Sequence, residues 1–277
     1  VRLSGIWYVF PHARYAASMV DQPWWRPMLE LSIANAKLNA AASLSAKPTM
    51  SFVAIVFSLT MVEVAAKHEA QHEALLGADV MDALEFACAH DFSLAGLSVA
   101  AYGAGGAVAL VGRNEGGKVL SREAVDAIAG RLAVYFKADS MFSESSAESL
   151  LGNLSRVVTM AISDANKRLM IQCDGLIDTL VQCLLLDPGN KRRTQDGGDA
   201  LQEAAAGTLH ELSLFGPWAQ ALKVHSGVMS SLRELLDVGT KAAKESAAAA
   251  LFELDDEARA AATASSGEDG SSNDGTL

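Results

Sequence analysis

A segment that repeats itself constrains this chain more than any other feature. The stretch ALQEAAAGTLHELS (Ala200–Ser213) returns as AAKESAAAALFELD (Ala242–Asp255), so Leu209 and Leu251 are 42 residues apart, as are Leu212 and Leu254. Between the copies, SGVMSSLRELLDVGT (Ser226–Thr240) opens on a glycine and carries leucines at helical spacing. A repeat of this length marks a supersecondary unit that stacks on copies of itself. Each unit is too small to bury its own apolar face and depends on its neighbours.

The pattern extends backwards. SAESLLGNLSRVVTMAI (Ser146–Ile162) places Leu151 and Leu154 where Leu209 and Leu212 sit later, and in CDGLIDTLVQCLLLD (Cys173–Asp187) Gly175, Leu180 and Leu184 match Gly227, Leu232 and Leu236. The insert PGNKRRTQDGGD, between Asp187 and Ala200, has the Pro, Gly, Asn and Asp of a surface loop, and its Lys191, Arg192 and Arg193 read as solvated. Further back, Val53–Leu59 with Gly77–Ala89, and Leu94–Ala109 with Val119–Phe136, read as two divergent units. Ser121 stands before Ala124, Val125, Ile128 and Leu132 as the cap of an amphipathic helix. Residues 1–50, with Trp7, Trp24 and Trp25, do not fit the repeat and are expected to cap the array. The array itself spans 51–260 in about four units; residues 261–277, acidic and rich in Gly and Ser, are expected to be a disordered tail.

Half of the 277 residues are apolar, only six are Pro, and few stretches alternate as a half-buried strand does, so the class is all-α. A net charge of −11 speaks against nucleic acid and anionic membranes as partners. Ser51–Val62 is the most apolar window, but Glu63 and Lys67 end it short of the ~20 residues that span a bilayer, so a buried helix is expected. Cys88, Cys173 and Cys183 lie in apolar helical patterns and read as reduced thiols, which points to a cytoplasmic or nuclear compartment. A chain starting at Val1 rather than Met leaves open a targeting segment upstream.

LQEAAAGTLHELS, HSGVMSSLRELLDVGT and AKESAAAALFELD together resemble the armadillo repeat of β-catenin, importin-α and vacuolar armadillo proteins, closely over 200–257 and less so over 146–187. The shared features are a run of Ala in the second helix, a Leu-x-x-Leu end, a turn Gly and a Leu-rich third helix. The resemblance implies a right-handed α-α superhelix, a solenoid whose third helices line a concave groove that binds extended peptides. The Trp and Asn ladder of importin-like members is missing: the third helices end in Leu184-Leu185-Leu186 and Leu235-Leu236-Asp237, and the family's Asn survives only as Asn153, with Glu211 and Glu253 at the equivalent positions. Import of basic cargo through that ladder is therefore not expected.

A competing motif is His68-Glu69-Ala70-Gln71-His72, which reads H-E-x-x-H. On a helix it would set His68 and His72 one turn apart to share a zinc ion, with Glu69 as general base on the bound water and Glu85 or His90 as third ligand. The charged flanks Lys67 and Glu73 and the lack of the extended form fit a solvated helix end better. Gly103-Ala104-Gly105-Gly106 has the wrong glycine spacing for a dinucleotide turn and reads as a flexible link between helices. No G-x-S-x-G elbow exists, and His210 reads as a packing residue. Trp24-Trp25 beside Arg26 is a candidate partner anchor, although the terminal cap accounts for it as well.

The sequence thus points to a non-enzymatic scaffold, without a cofactor, that holds a basic or neutral protein segment along the glycine-preceded helices Leu176–Leu186 and Val228–Leu236. Asp178, Gln182, Ser231 and Glu234 are its partner-binding candidates. The alternative is a zinc hydrolase built on His68, Glu69 and His72.

Overall fold

The computed structural model describes residues 27, 48–77, 80–89, 93–94, 97–112, 119–137, 144–187, 190 and 197–255. The expected N-terminal cap apart from Pro27 and residues 48–50, the basic triplet Lys191–Arg193, His90 and the acidic tail lie outside them. Apart from an antiparallel pair of two-residue strands, Ser93–Leu94 with Leu97–Ser98, the described elements are helices, as the composition implied. Among the described residues no helix is long and apolar enough to cross a membrane.

The chain divides into two compact units, 1–132 and 133–277. In the first, α1 (Pro48–Ala66), α2 (His72–Gly77), α3 (Val80–Ala89) and α4 (Val99–Val111) precede α5 (Arg122–Lys137), which runs across the boundary. Between Val56 and Ala66, α1 is buried almost all round: Val56, Leu59, Met61, Val62, Ala65 and Ala66 are each at most 1% exposed, and even Glu63 is buried. A helix without a polar face is one that neighbours surround. The Ser121 cap is present, its Oγ accepting from Ala124 N at 3.2 Å.

The glycine run corrects the expectation of a flexible link. Gly103, Gly105 and Gly106 lie inside α4, which packs on both α1 and α3. A Cβ on Gly103 would fall 2.8 Å from Ala87 Cβ and 3.0 Å from Leu84 O, and one on Gly106 would fall 2.9 Å from Leu84 Cδ2. The glycines are there so that the backbones of α3 and α4 can approach.

The second unit holds α6 (Glu144–Ala161), α7 (Asp164–Met170), α8 (Leu176–Cys183), α9 (Gly198–Ser213), α10 (Gly216–Val224), α11 (Val228–Val238) and α12 (Lys241–Leu254). The repeated segments are α9 and α12. They lie against each other, and α9 packs on its other flank against α6. Small side chains allow this: Ala205, Ala206, Ala243, Ala247 and Ala250 are all fully buried. Thr240 caps α12, its Oγ1 accepting from Ala243 N at 3.2 Å.

The helices α8 and α11 are amphipathic, burying Leu176, Thr179, Leu180 and Cys183 in one, and Val228, Leu232 and Leu235 in the other. Gly175, at φ 73°, admits the chain to α8 from the left-handed region. The expected Leu176–Leu186 helix stops at Cys183 because Leu185 turns the chain out at φ 53°, while the second helix runs on to Val238. The cysteines are free; Cys88 and Cys183 are buried and Cys173 is half-buried, in the turn before α8 rather than in a helix.

Candidate functional site

On α8 and α11 the face opposite the buried leucines is solvated. Asp178, Gln182 and Glu234 are exposed and Ser231 is half-buried. The two helices touch, so the four partner-binding candidates belong to neighbouring surfaces. Asp178 is already engaged: its Oδ1 lies 3.0 Å from His225 Nε2, while His225 Nδ1 accepts from Gly227 N at 3.3 Å. The backbone donor requires a bare Nδ1, so in the neutral ring Nε2 carries the proton and donates to Asp178. This bond ties the turn before α11 to α8, and although His225 heads the HSGVMSSLRELLDVGT segment, nothing local in the sequence marks Asp178 as its partner.

The glycine-preceded helices α8 and α11 do meet; more extensive packing runs along the row α6–α9–α12, most of all between the alanine-rich α9 and α12. Leucines keep helix axes apart, whereas alanines let them close. Buried polar ties cross this row. Gln202, 6% exposed, donates through Nε2 to Leu184 O at 2.7 Å and accepts through Oε1 from Thr240 N at 3.0 Å. Thr240 Oγ1 also donates to Glu203 Oε1 at 2.8 Å. Between α7 and α10, Trp218 Nε1 donates to Lys167 O at 2.8 Å, and the Arg168 guanidinium sits 5.9 Å from the Phe215 ring centre. Asn153 is buried and accepts from Arg156 Nη1 at 2.9 Å, whereas Glu211 and Glu253 are half-buried. His210 is half-buried, on the helix whose Leu209 and Leu212 are fully buried.

The His68–His72 segment does not form the helix that a shared metal requires. The first helix ends at Ala66, His68 is extended at φ −108° and ψ 110°, Glu69–Gln71 is a 3-10 turn, and α2 starts at His72. His72 Nε2 lies 2.6 Å from Ala66 O. A carbonyl oxygen only accepts, so Nε2 must carry the proton, and of the two ring nitrogens only Nδ1 keeps a lone pair. The ring closes the C-terminus of α1. Glu69 and Glu85 are exposed, and among the described residues no group of three His, Cys, Asp or Glu is gathered to hold a metal. The alternative reading needs His68 and His72 one turn apart on a helix; the structure instead breaks the helix between them, with His72 against the end of α1.

Cys88 is a buried thiol, 3.9 Å from Ala100 O, and burial, with the charges of Glu85 and Glu123, pushes it up to about 12. Such a thiol is a packing group rather than a nucleophile.

No protein-family model matches the chain, and no curated protein sequence is significantly similar to it.

Proposed function

We propose that the chain is an armadillo-like scaffold, a right-handed solenoid that binds a protein segment and performs no catalysis of its own. The observation that carries the reading is the placement of α9 between α6 and α12, so that helices equivalent in the repeat lie side by side. A chain that stacks equivalent helices in this way also repeats their outward side chains at a fixed interval, and an extended partner can be held at several such points. The candidate contacts are the outward residues of α8 and α11, namely Gln182, Ser231 and Glu234, with Asp178 held ready by His225. Their acidity and the net charge of −11 favour a basic or neutral segment.

A labelled lysine-rich peptide tests this by fluorescence polarisation against the whole chain. Binding is expected to weaken in Gln182→Lys and Glu234→Lys, and the difference from wild type should shrink as salt is raised. Affinity that ignores both substitutions removes the stripe from the reading.

A further inference from the structure

Gly227 sits where the turn before α11 meets the candidate stripe. Its carbonyl accepts from Ser231 N at 3.0 Å and from Ser230 Oγ at 3.0 Å, so it fixes the first turn of α11, which carries Ser231. Its N–H donates to His225 Nδ1 at 3.3 Å, while His225 Nε2 reaches Asp178 Oδ1 on α8 at 3.0 Å. One half-buried ring therefore holds a backbone donor with one nitrogen and a candidate carboxylate with the other. Only the neutral ring can do both. Protonation puts a hydrogen on Nδ1, and two N–H groups then face each other where a bond stood. Nε2–H keeps its bond to Asp178, now as a cation beside the carboxylate. Nearby in the chain are Asp174 in the turn before α8, Lys223 near the end of α10, and Arg233, Glu234 and Asp237 further along α11. Among the described residues, the ring's one ionic contact is Asp178. The charge that a proton brings therefore falls on a candidate partner contact.

We propose that His225 makes the α8–α11 stripe responsive to pH: the neutral ring leaves the stripe able to hold a basic segment, and the protonated ring releases it. The proposal rests on the scaffold reading above and adds its regulation. Two changes act in the same direction. The imidazolium cancels the charge of Asp178, so the stripe loses attraction for a basic partner. The Gly227 N–H loses its acceptor, so the turn that seats Ser231 is no longer pinned by the ring. Binding is therefore full where the imidazole is neutral and falls as the ring gains its proton, a change that imidazoles make between about pH 5 and 8. The Asp178 side chain is 64% exposed, so water screens the charge and the effect stays modest. One unit charge cancelled beside a partner cation in water corresponds to about fivefold in affinity.

The probe is the labelled lysine-rich peptide, titrated into the whole chain at about pH 8 and about pH 5. Wild type should bind it about fivefold more weakly at the lower pH. A glutamine at this position keeps a side-chain N–H donor but takes up no proton. In His225→Gln the two affinities should therefore agree, whatever their absolute value. A second measurement needs no partner. In amide-resolved NMR of the isotope-labelled wild type, the Gly227 signal should move between the two pH values as its N–H loses Nδ1, and this step should vanish in His225→Gln. Equal pH dependence of peptide binding in wild type and variant overturns the switch and leaves the scaffold standing. A Gly227 signal that stays still in wild type overturns it as well. Peptide that binds at neither pH removes the scaffold reading and this proposal with it, even where Gly227 titrates.

Discussion

Replacing Gln202 with Leu cuts the polar tie between repeats while keeping nearly the same volume in the core. The amide spans Leu184 O at 2.7 Å and Thr240 N at 3.0 Å, so the substitution strands one acceptor and one donor. Leu184 is fully buried, so its carbonyl has no route to water, whereas Thr240 is half-buried and its N–H is partly rescued. A stranded buried group costs about 1–3 kcal/mol, and an exposed one much less, so the loss should be about 1–4 kcal/mol. Urea denaturation followed by circular dichroism measures it, with an unchanged slope showing that the denatured state is not altered. The internal control is Lys244, the counterpart 42 residues on, whose Nζ donates to Asp237 O at the surface. Lys244→Leu should change stability by less than about 0.5 kcal/mol. If Gln202→Leu also costs less than that, or if the two variants cost the same, the tie between repeats does not exist.

Leu209→Ala should cost about 2–5 kcal/mol because Leu209 is fully buried, and Leu251→Ala clearly less because Leu251 is only half-buried; chemical denaturation of the pair tests the asymmetry. Gly103→Ala should destabilise by about 1–3 kcal/mol, since its Cβ would meet Ala87 Cβ at 2.8 Å, whereas Gly130→Ala, with nothing within 4 Å, should stabilise by about 0.5–1 kcal/mol. Thermal melts of both would show opposite signs. Cys88, raised from 9.0 to about 12 by burial and then by Glu85 and Glu123, holds its proton more tightly folded than unfolded. Its contribution is therefore intact below pH 9.0 and is lost as pH rises towards about 12, by up to about 1.4 kcal/mol per pH unit; Cys88→Ala should remove that slope from pH-dependent unfolding curves.

The helical class, the repeated pair α9 and α12, the glycines before α8 and α11 and the Ser121 cap were legible because each depends on spacing within a short stretch. Leucines 42 residues apart and a serine three residues before Ala124 state their own geometry. What was not legible depends on contacts far apart in sequence. Trp218 reaches back to Lys167 O, Gln202 joins Leu184 to Thr240, and His225 meets Asp178, with nothing local to mark any of them. Two local patterns did not state their geometry. H-E-x-x-H implies a helix, but α1 ends at Ala66 and His72 Nε2 meets its last carbonyl. The glycines of α4 read as a hinge because composition alone does not distinguish a flexible turn from a helix pressed against Ala87 and Leu84. The candidate stripe was half legible: the exposed positions on α8 and α11 follow from amphipathic spacing, while the more extensive packing of α9 on α12 required the packing itself.

A disulfide between α9 and α12 tests the stacking of equivalent helices most directly. A Cβ on Gly207 would lie 4.0 Å from Ser246 Oγ, so side chains at the two positions face each other and a pair of cysteines there can meet with a small adjustment of the helices. With Cys88, Cys173 and Cys183 replaced by Ala, Gly207→Cys with Ser246→Cys should close under mild oxidation of the native protein. The closed form should run faster on a non-reducing gel, and it should form poorly in urea. Thiols that stay reduced in the native protein, or that close equally well when it is unfolded, would contradict the side-by-side packing of the repeats.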